Sequence, residues 1–501
     1  MNIKRAKKEI ENTIKAYLHK DAYGDYVIPS IRQRPILLIG APGIGKTQIM
    51  EQISKECQIA LVAYTITHHT RQSAIGLPFI SEKTYNGERY SVTEYTMSEI
   101  IASVYNCMEE TGLKEGILFI DEINCVSETL APAMLQFLQC KTFGNHAVPE
   151  GWIIVAAGNP PEYNKSVREF DVVTLDRVKK IEVEPDFGVW KEYAYRQEVH
   201  PAVISYISTR IAHFYQMETR VDGKRFATAR GWQDLSELLT VYEKLDMEVD
   251  QEVIFQYIQH EKIAKDFANY LDLYKKYRTD YRVDDILRGE YTKQAVLKLE
   301  QAPFDERLSV MGLLLSRLSE NFQKAYEADL MVTGLHGVLL ELKERFASPY
   351  CKETPWENIF TALLEERETA FTRERKAGLL EKTAERARLK ELERLNFFMA
   401  EVKKAGCREK EDAFEVVKGL FGAEAEQREE IIDSASLMLD NAFAFLEETF
   451  GTGQEMVIFI TELTTNFYSV KFISENGCER YYKYNKTLLI GSSRASILKE
   501  L

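Results

Sequence analysis

Cysteine is sparse in this chain of 501 residues. Cys57, Cys107, Cys125, Cys140, Cys351, Cys407 and Cys478 are scattered, odd in number and form no Cys-x-x-Cys pair. Such spacing argues against a zinc–thiolate centre or a disulfide scaffold and fits reduced thiols. Long apolar runs are missing as well. The first eighteen residues interleave Lys4, Arg5, Lys7, Lys8, Glu9 and Glu11 with apolar positions, so they lack the core of a secretory signal. No later stretch reaches the roughly 20 apolar residues that span a bilayer. The cytoplasm is therefore the expected location, with no membrane partner. Positive charge is in deficit: 64 Lys and Arg stand against 78 Asp and Glu, a net charge of −14. The overall field thus gives no attraction to phosphate backbones, and nucleic acid starts as a disfavoured partner. No internal repeat or low-complexity tract is visible.

The remainder is ordinary for folded protein, with 45% hydrophobic and 28% charged residues. A length of this order suggests about three domains. Ile3, Ile10, Ile14 and Leu18 recur at helical spacing and predict an amphipathic N-terminal helix. Short apolar runs at Ile36–Ile39, Ala60–Tyr64, Ile117–Ile120 and Ile153–Ala157 read as buried parallel strands. Helical patterns at Thr47–Cys57 and Ser98–Glu110 lie between them, which predicts a parallel α/β layer. Past about Pro185 the pattern turns helical, and it stays helical through charged segments with breaks at Gln301–Asp305, Ser348–Pro355 and Gly406–Arg408. Glu366–Lys404 reads either as a coiled-coil-like arm or as one solvated face of a helical bundle, and its short heptads favour the bundle. Asn476-Gly477 either closes a hairpin or ends a helix, the helix being favoured.

The strongest chemical signal is Gly40-Ala41-Pro42-Gly43-Ile44-Gly45-Lys46-Thr47, set between an expected strand and an expected helix. This is a P-loop in its required context. Glycines let the backbone wrap close to phosphate, Lys46 reaches the β and γ phosphates, and Thr47 ligates Mg²⁺. Downstream, Ile117-Leu118-Phe119-Ile120 runs into Asp121 and Glu122. Asp121 at the strand end suits a Mg²⁺ site, and Glu122 suits a base that orients and deprotonates the attacking water.

With these two motifs the chain resembles the AAA+ ATPases, and within them the MoxR-like group, over about residues 25–240. Ala156-Ala157-Gly158-Asn159-Pro160-Pro161 is similar to the family's sensor 1 region, which implies that Asn159 helps place the hydrolytic water. Leu175-Asp176-Arg177 resembles the family's Leu-Asp-Arg-Phe element, which implies that Arg177 acts as a finger on the neighbouring subunit's nucleotide. Arg168 is a second arginine nearby. Ala229-Arg230-Gly231-Trp232 resembles the entry to a lid helix and makes Arg230 the sensor 2 candidate. Val178 stands where the family usually has Phe, and Ala227-Thr228-Ala229 replaces its common Ser-Pro. The connection from Leu138 to Trp152 is short and implies a reduced pre-sensor hairpin. The stretch Thr67–Tyr95 falls where these ATPases carry an insertion; Arg71, Gly76-Leu77-Pro78 and Tyr85-Asn86-Gly87 read as loop elements. His68 and His69 are adjacent and lack metal-ligand spacing, and His146 and His200 have no partner pattern.

The expected fold is thus an α/β P-loop core with a parallel sheet at residues 1–185, an α-helical lid at 186–290 and a mostly helical region at 291–501. The resemblance implies a Mg²⁺-dependent ATPase that assembles as a homo-hexameric ring. It also implies remodelling or maturation of a protein client, often with a von Willebrand A-domain partner. A nucleic-acid-acting P-loop motor is the first alternative, but no zinc finger, winged-helix signature or Lys/Arg stripe supports it. A nucleotide-gated scaffold with little turnover is the second, and the full set of expected catalytic groups argues against it.

Overall fold

The computed structural model describes residues 1–68, 74–143, 145–163, 170–220, 223–351 and 353–486. Two compact units divide the chain, Met1–Val189 with Thr372–Glu381, and Trp190–Phe371 with everything from Lys382 on.

The first unit is built on a five-stranded parallel sheet of β1 (Ile36–Gly40), β2 (Ala60–Thr65), β5 (Gly116–Asp121), β8 (Trp152–Gly158) and β9 (Lys179–Val183), ordered β2-β5-β8-β1-β9. Strands β1, β5 and β8 are buried almost throughout. That is the reason their sequences read as continuous apolar runs: side chains on both faces leave water. Strand β9 alternates instead, with Ile181 and Val183 buried and Lys180 and Glu182 exposed, as an edge position permits. Helix α1 (Ile3–Tyr17) buries Ala6, Ile10 and Ile14 and packs on β9 and on α2 (Lys46–Cys57). Lys179 Nζ ties this helix to the edge strand through Glu9 Oε1 and Thr13 Oγ1, both at 2.6 Å.

A hairpin of β3 (Pro78–Tyr85) and β4 (Glu88–Tyr95) lies where the sequence suggested loop elements. Its turn residues Asn86 and Gly87 have φ of +53° and +88°, the left-handed pair a tight two-residue turn requires. In the short connection from Leu138 to Trp152, β6 (Thr142–Phe143) and β7 (His146–Ala147), of two residues each, pair antiparallel.

The second unit is mostly helical, with one antiparallel hairpin of β10 (Gln216–Arg220) and β11 (Gly223–Ala227) interrupting it. Long helices Phe304–Ala347, Lys382–Lys404 and Lys410–Phe450 pack on one another. All three expected breaks are found, and the chain breaks again at Ala377–Glu381, in the segment that belongs to the first unit, where Gly378 has φ +66°. Leu395, Phe398 and Val402 are buried with Leu335, Leu342 and Phe360. The charged stretch therefore contributes to a bundle rather than a free arm. Near the end of the described chain, helix Phe467–Asn476 stops at Gly477, whose φ of +78° marks the helix-ending reading of that dipeptide.

Candidate nucleotide site

In an open parallel sheet, binding crevices form beyond the carboxyl ends of strands where the strand order reverses. Strand β1 is such a place: the chain leaves it for the far edge at β2, and later passes from β8 to β9 on the other side of β1. The P-loop begins there. A Cβ on Gly40 would lie 2.7 Å from Ile44 Cδ1 and 2.8 Å from the Val183 carbonyl oxygen, so only glycine fits under the loop. Gly43 and Gly45 adopt φ of +74° and +92°, which L side chains resist. Gly45 is the N-cap of α2, and no side chain caps that helix start. Its first N–H groups and the positive helix end thus face the loop, an arrangement suited to an anion.

The Lys46 side chain is only 8% exposed. Its ammonium donates to the Gly40 carbonyl at 2.8 Å, the Ala41 carbonyl at 3.0 Å and Asn159 Oδ1 at 2.8 Å. Three oxygens offset the cost of burying that charge. Thr47 Oγ1 donates to Asp121 Oδ2 at 3.3 Å. The other Asp121 oxygen receives the Glu122 N–H at 2.8 Å. Glu122 itself has φ +58°, so the chain turns sharply as it leaves β5. Lys46, Thr47, Asp121 and Asn159, which come from α2, β5 and the end of β8, are therefore brought together, with Glu122 beside them in the chain.

The donor set fits a nucleotide with its cation. A hydroxyl and a carboxylate are hard oxygen ligands of the kind Mg²⁺ takes, and the glycine cradle with a buried lysine suits phosphate. Thr47 and Asp121 would hold the cation, and Gly40–Lys46 the phosphates.

Asn124 was not singled out by sequence reasoning, yet it reaches the same place. It is 5% exposed, its Nδ2 donates to the Asn159 carbonyl at 2.8 Å, and its Oδ1 accepts the Asn159 N–H at 3.3 Å. A polar residue two places beyond the Asp-Glu pair, between the apolar Ile123 and Val126, was the available signal. Gln139 was also missed. It accepts a hydrogen bond from Arg177 Nη1, and Arg177 is exposed in the turn before β9. Val178, the residue after Arg177, is buried in the core against the sheet.

Arg230 belongs to the second unit, in the first turn of helix Ala229–Lys244, whose N-cap Thr228 accepts the Gly231 N–H at 3.1 Å. Arg168 and His69 lie outside the described residues, as do Arg71 and its neighbours. His146 Nε2 lies 3.1 Å from the Tyr95 carbonyl oxygen, which links β7 to β4. His200 caps helix Pro201–Thr209 by accepting the Ala202 N–H at 3.2 Å, and its Nε2 is 3.2 Å from Glu243. Among the described residues no helix is long and apolar enough to cross a membrane, and no cluster of three or more His, Cys, Asp or Glu is arranged to hold a metal.

Residues 35–178 match the family model of the AAA domain, dynein-related subfamily. That span runs from the residue before β1 to the residue before β9 and includes Gly40–Thr47, Asp121, Glu122, Asn124, Asn159 and Arg177, but not Arg230. No curated protein matches the chain. Residues 35–178 are thus similar to an AAA domain, and domains of this family are nucleotide-dependent P-loop ATPases that commonly form oligomeric rings.

Proposed function

We propose that this protein is a Mg²⁺-dependent, ring-forming ATPase of the MoxR type that remodels or matures a protein client. The observation that supports it most is the convergence of Lys46 on Asn159 and of Thr47 on Asp121 at three adjacent strand ends. In this reading Gly40–Thr47 wraps the ATP phosphates, and Lys46 moves from carbonyl oxygens to the β and γ oxygens. Thr47 and Asp121 would hold Mg²⁺, whose chemistry there would be neutralisation of phosphate charge. Glu122 orients and deprotonates the attacking water, while Asn159 helps place it. Arg177 acts on the nucleotide of a neighbouring copy in a homo-hexamer, and Arg230 reports the γ-phosphate to a lid at 186–290. The region 291–501 supplies a further helical body, and a von Willebrand A-domain protein is the proposed kind of partner or client. The cytoplasm is the proposed compartment.

One variant tests the core of this reading. Glu122→Gln should bind ATP with wild-type affinity and lose hydrolysis by roughly 10²–10⁴-fold. ATP-loaded Glu122→Gln should also retain a specific protein from extract that the ADP-loaded wild type releases. Wild-type turnover by this variant would remove Glu122 from its role. ATPase stimulation by DNA that disappears as salt rises would move the client from protein to nucleic acid.

A further inference from the structure

Asn159 follows the last residue of β8, so its backbone has passed the end of the strand ladder. The β5–β8 pairing runs from Gly116↔Trp152 to Ile120↔Ala156, and one more bond, Ile123 N–H to the Ala157 carbonyl at 2.9 Å, continues it past the turn. Beyond that point the neighbouring strand supplies no peptide group. The Asn124 side chain takes its place: its amide carbonyl accepts from the Asn159 N–H and its NH₂ donates to the Asn159 carbonyl. One primary amide thus holds both backbone groups of Asn159, as the peptide of an adjacent strand would.

Two features show that the clamp is built into the fold. The amide is buried, so each of its hydrogen bonds replaces water, and breaking one leaves a buried polar group unpaired. The preceding residue on β8 is Gly158, where a Cβ would sit 2.5 Å from Asn124 Oδ1 and 2.8 Å from its Cγ. Any side chain there would push the amide off Asn159. On the other side of Asn159, the side chain carries its Oδ1 to Lys46 Nζ at 2.8 Å. Asn124 fixes the backbone, and the backbone aims the side chain at the phosphate-binding lysine.

We propose that Asn124 is the positioning residue of Asn159 and governs turnover rather than nucleotide affinity. The proposal rests on the ATPase reading above. An amide is required chemically: at neutral pH an aspartate would still accept the Asn159 N–H, but would set a carboxylate oxygen against the Asn159 carbonyl. Asn124→Asp is therefore a nearly isosteric break of one arm. Misplacing a catalytic side chain by about 1 Å costs on the order of 10²-fold in rate.

The experiment is steady-state ATP hydrolysis by the full chain, with affinity for a fluorescent ATP analogue measured in parallel. Asn124→Asp should lower kcat at least ~10-fold and leave analogue affinity within about 3-fold of wild type. Gly158→Ala, which leaves Asn124 intact but crowds it, should do the same. The double variant Asn124→Asp/Asn159→Ala should be no slower than Asn159→Ala alone, because the clamp acts only through Asn159. Wild-type kcat in both Asn124→Asp and Gly158→Ala would overturn the inference, as would losses that multiply in the double variant. The ATPase reading fails separately, if the wild-type chain with Mg²⁺ does not hydrolyse ATP.

Discussion

At the scale of single residues, the site shows which groups declare themselves by type and which only by place. Lys46, Thr47, Asp121 and Glu122 were legible because phosphate and Mg²⁺ chemistry demands those side chains at fixed spacing after a strand. Asn124 was not, because its task is to hold a backbone, and no residue pattern announces which peptide groups a fold leaves unpaired. Lys141 is another residue of this kind. It follows helix Ala131–Cys140 with φ +57°, and its Nζ lies 3.4 Å from Gln33 Oε1 and 3.5 Å from Ser30 Oγ, both neutral. Burial pushes its pKa down from 10.5 to about 8. Between those values the unfolded chain holds a proton that the folded chain lacks, so stability rises with pH from about 8 to 10.5. Below that window the folded state carries the full cost of a buried ammonium. Lys141→Met should therefore raise stability at pH 7 and flatten its rise between pH 8 and 10.5 in urea titrations. At ~1.4 kcal/mol per pH unit the displacement caps the gain at about 3 kcal/mol. A destabilised variant with an unchanged pH profile would show that the ammonium is well paired in the folded state.

At the scale of elements, burial decided what could be read. Strands β1, β2, β5 and β8 were visible as apolar runs, whereas β9 was not, since its sequence Lys179-Lys180-Ile181-Glu182-Val183 buries only alternate side chains. The hairpin β3–β4 escaped for a related reason. Its residues are mostly exposed, so alternation carries no hydrophobic signal, and the Asn86-Gly87 turn was read as loop. The same dipeptide at Asn476-Gly477 ends a helix, because Tyr468, Phe472 and Ile473 are buried on one helical face before it. Local turn chemistry is thus subordinate to the pattern that flanks it. Helix Phe304–Ala347 shows the same subordination for glycine. Ordinarily Gly→Ala inside an exposed helix stabilises by about 1 kcal/mol. Gly337 has open space around it, and Gly337→Ala should follow that rule. Gly334 does not have that freedom: a Cβ there would lie 2.1 Å from Oε2 of Glu391, a carboxylate 2% exposed and bonded to Arg388 at 3.1 Å. Gly334→Ala should lower stability in urea titrations, and adding Glu391→Ala should remove the clash. Equal stabilisation by both single alanines would show that Glu391 simply swings aside.

At the scale of the whole molecule, the question is whether one chain completes its own site. Gly40–Thr47, Asp121, Glu122 and Asn159 are gathered within the first unit, but Arg177 is exposed and engaged with Gln139 rather than with any of them. Under the proposed ring, that guanidinium serves the nucleotide on the next subunit, where a planar charged fork can stabilise the γ-phosphate as charge develops. A head-to-tail ring gives each subunit one face that offers the finger and another that receives it. Two inactive variants then have complementary defects. Glu122→Gln lacks the base but still offers Arg177, whereas Arg177→Ala keeps the base but offers no finger. In an equal mixture with random assembly, roughly one interface in four joins an intact base to an intact finger. Mixing the two should therefore restore a substantial fraction of wild-type ATPase activity, rising with protein concentration as the rings assemble. Were Arg177 to act on its own chain's nucleotide, every subunit in the mixture would carry one fatal defect. Activity would then stay at the mean of the two variants, whatever their ratio or concentration.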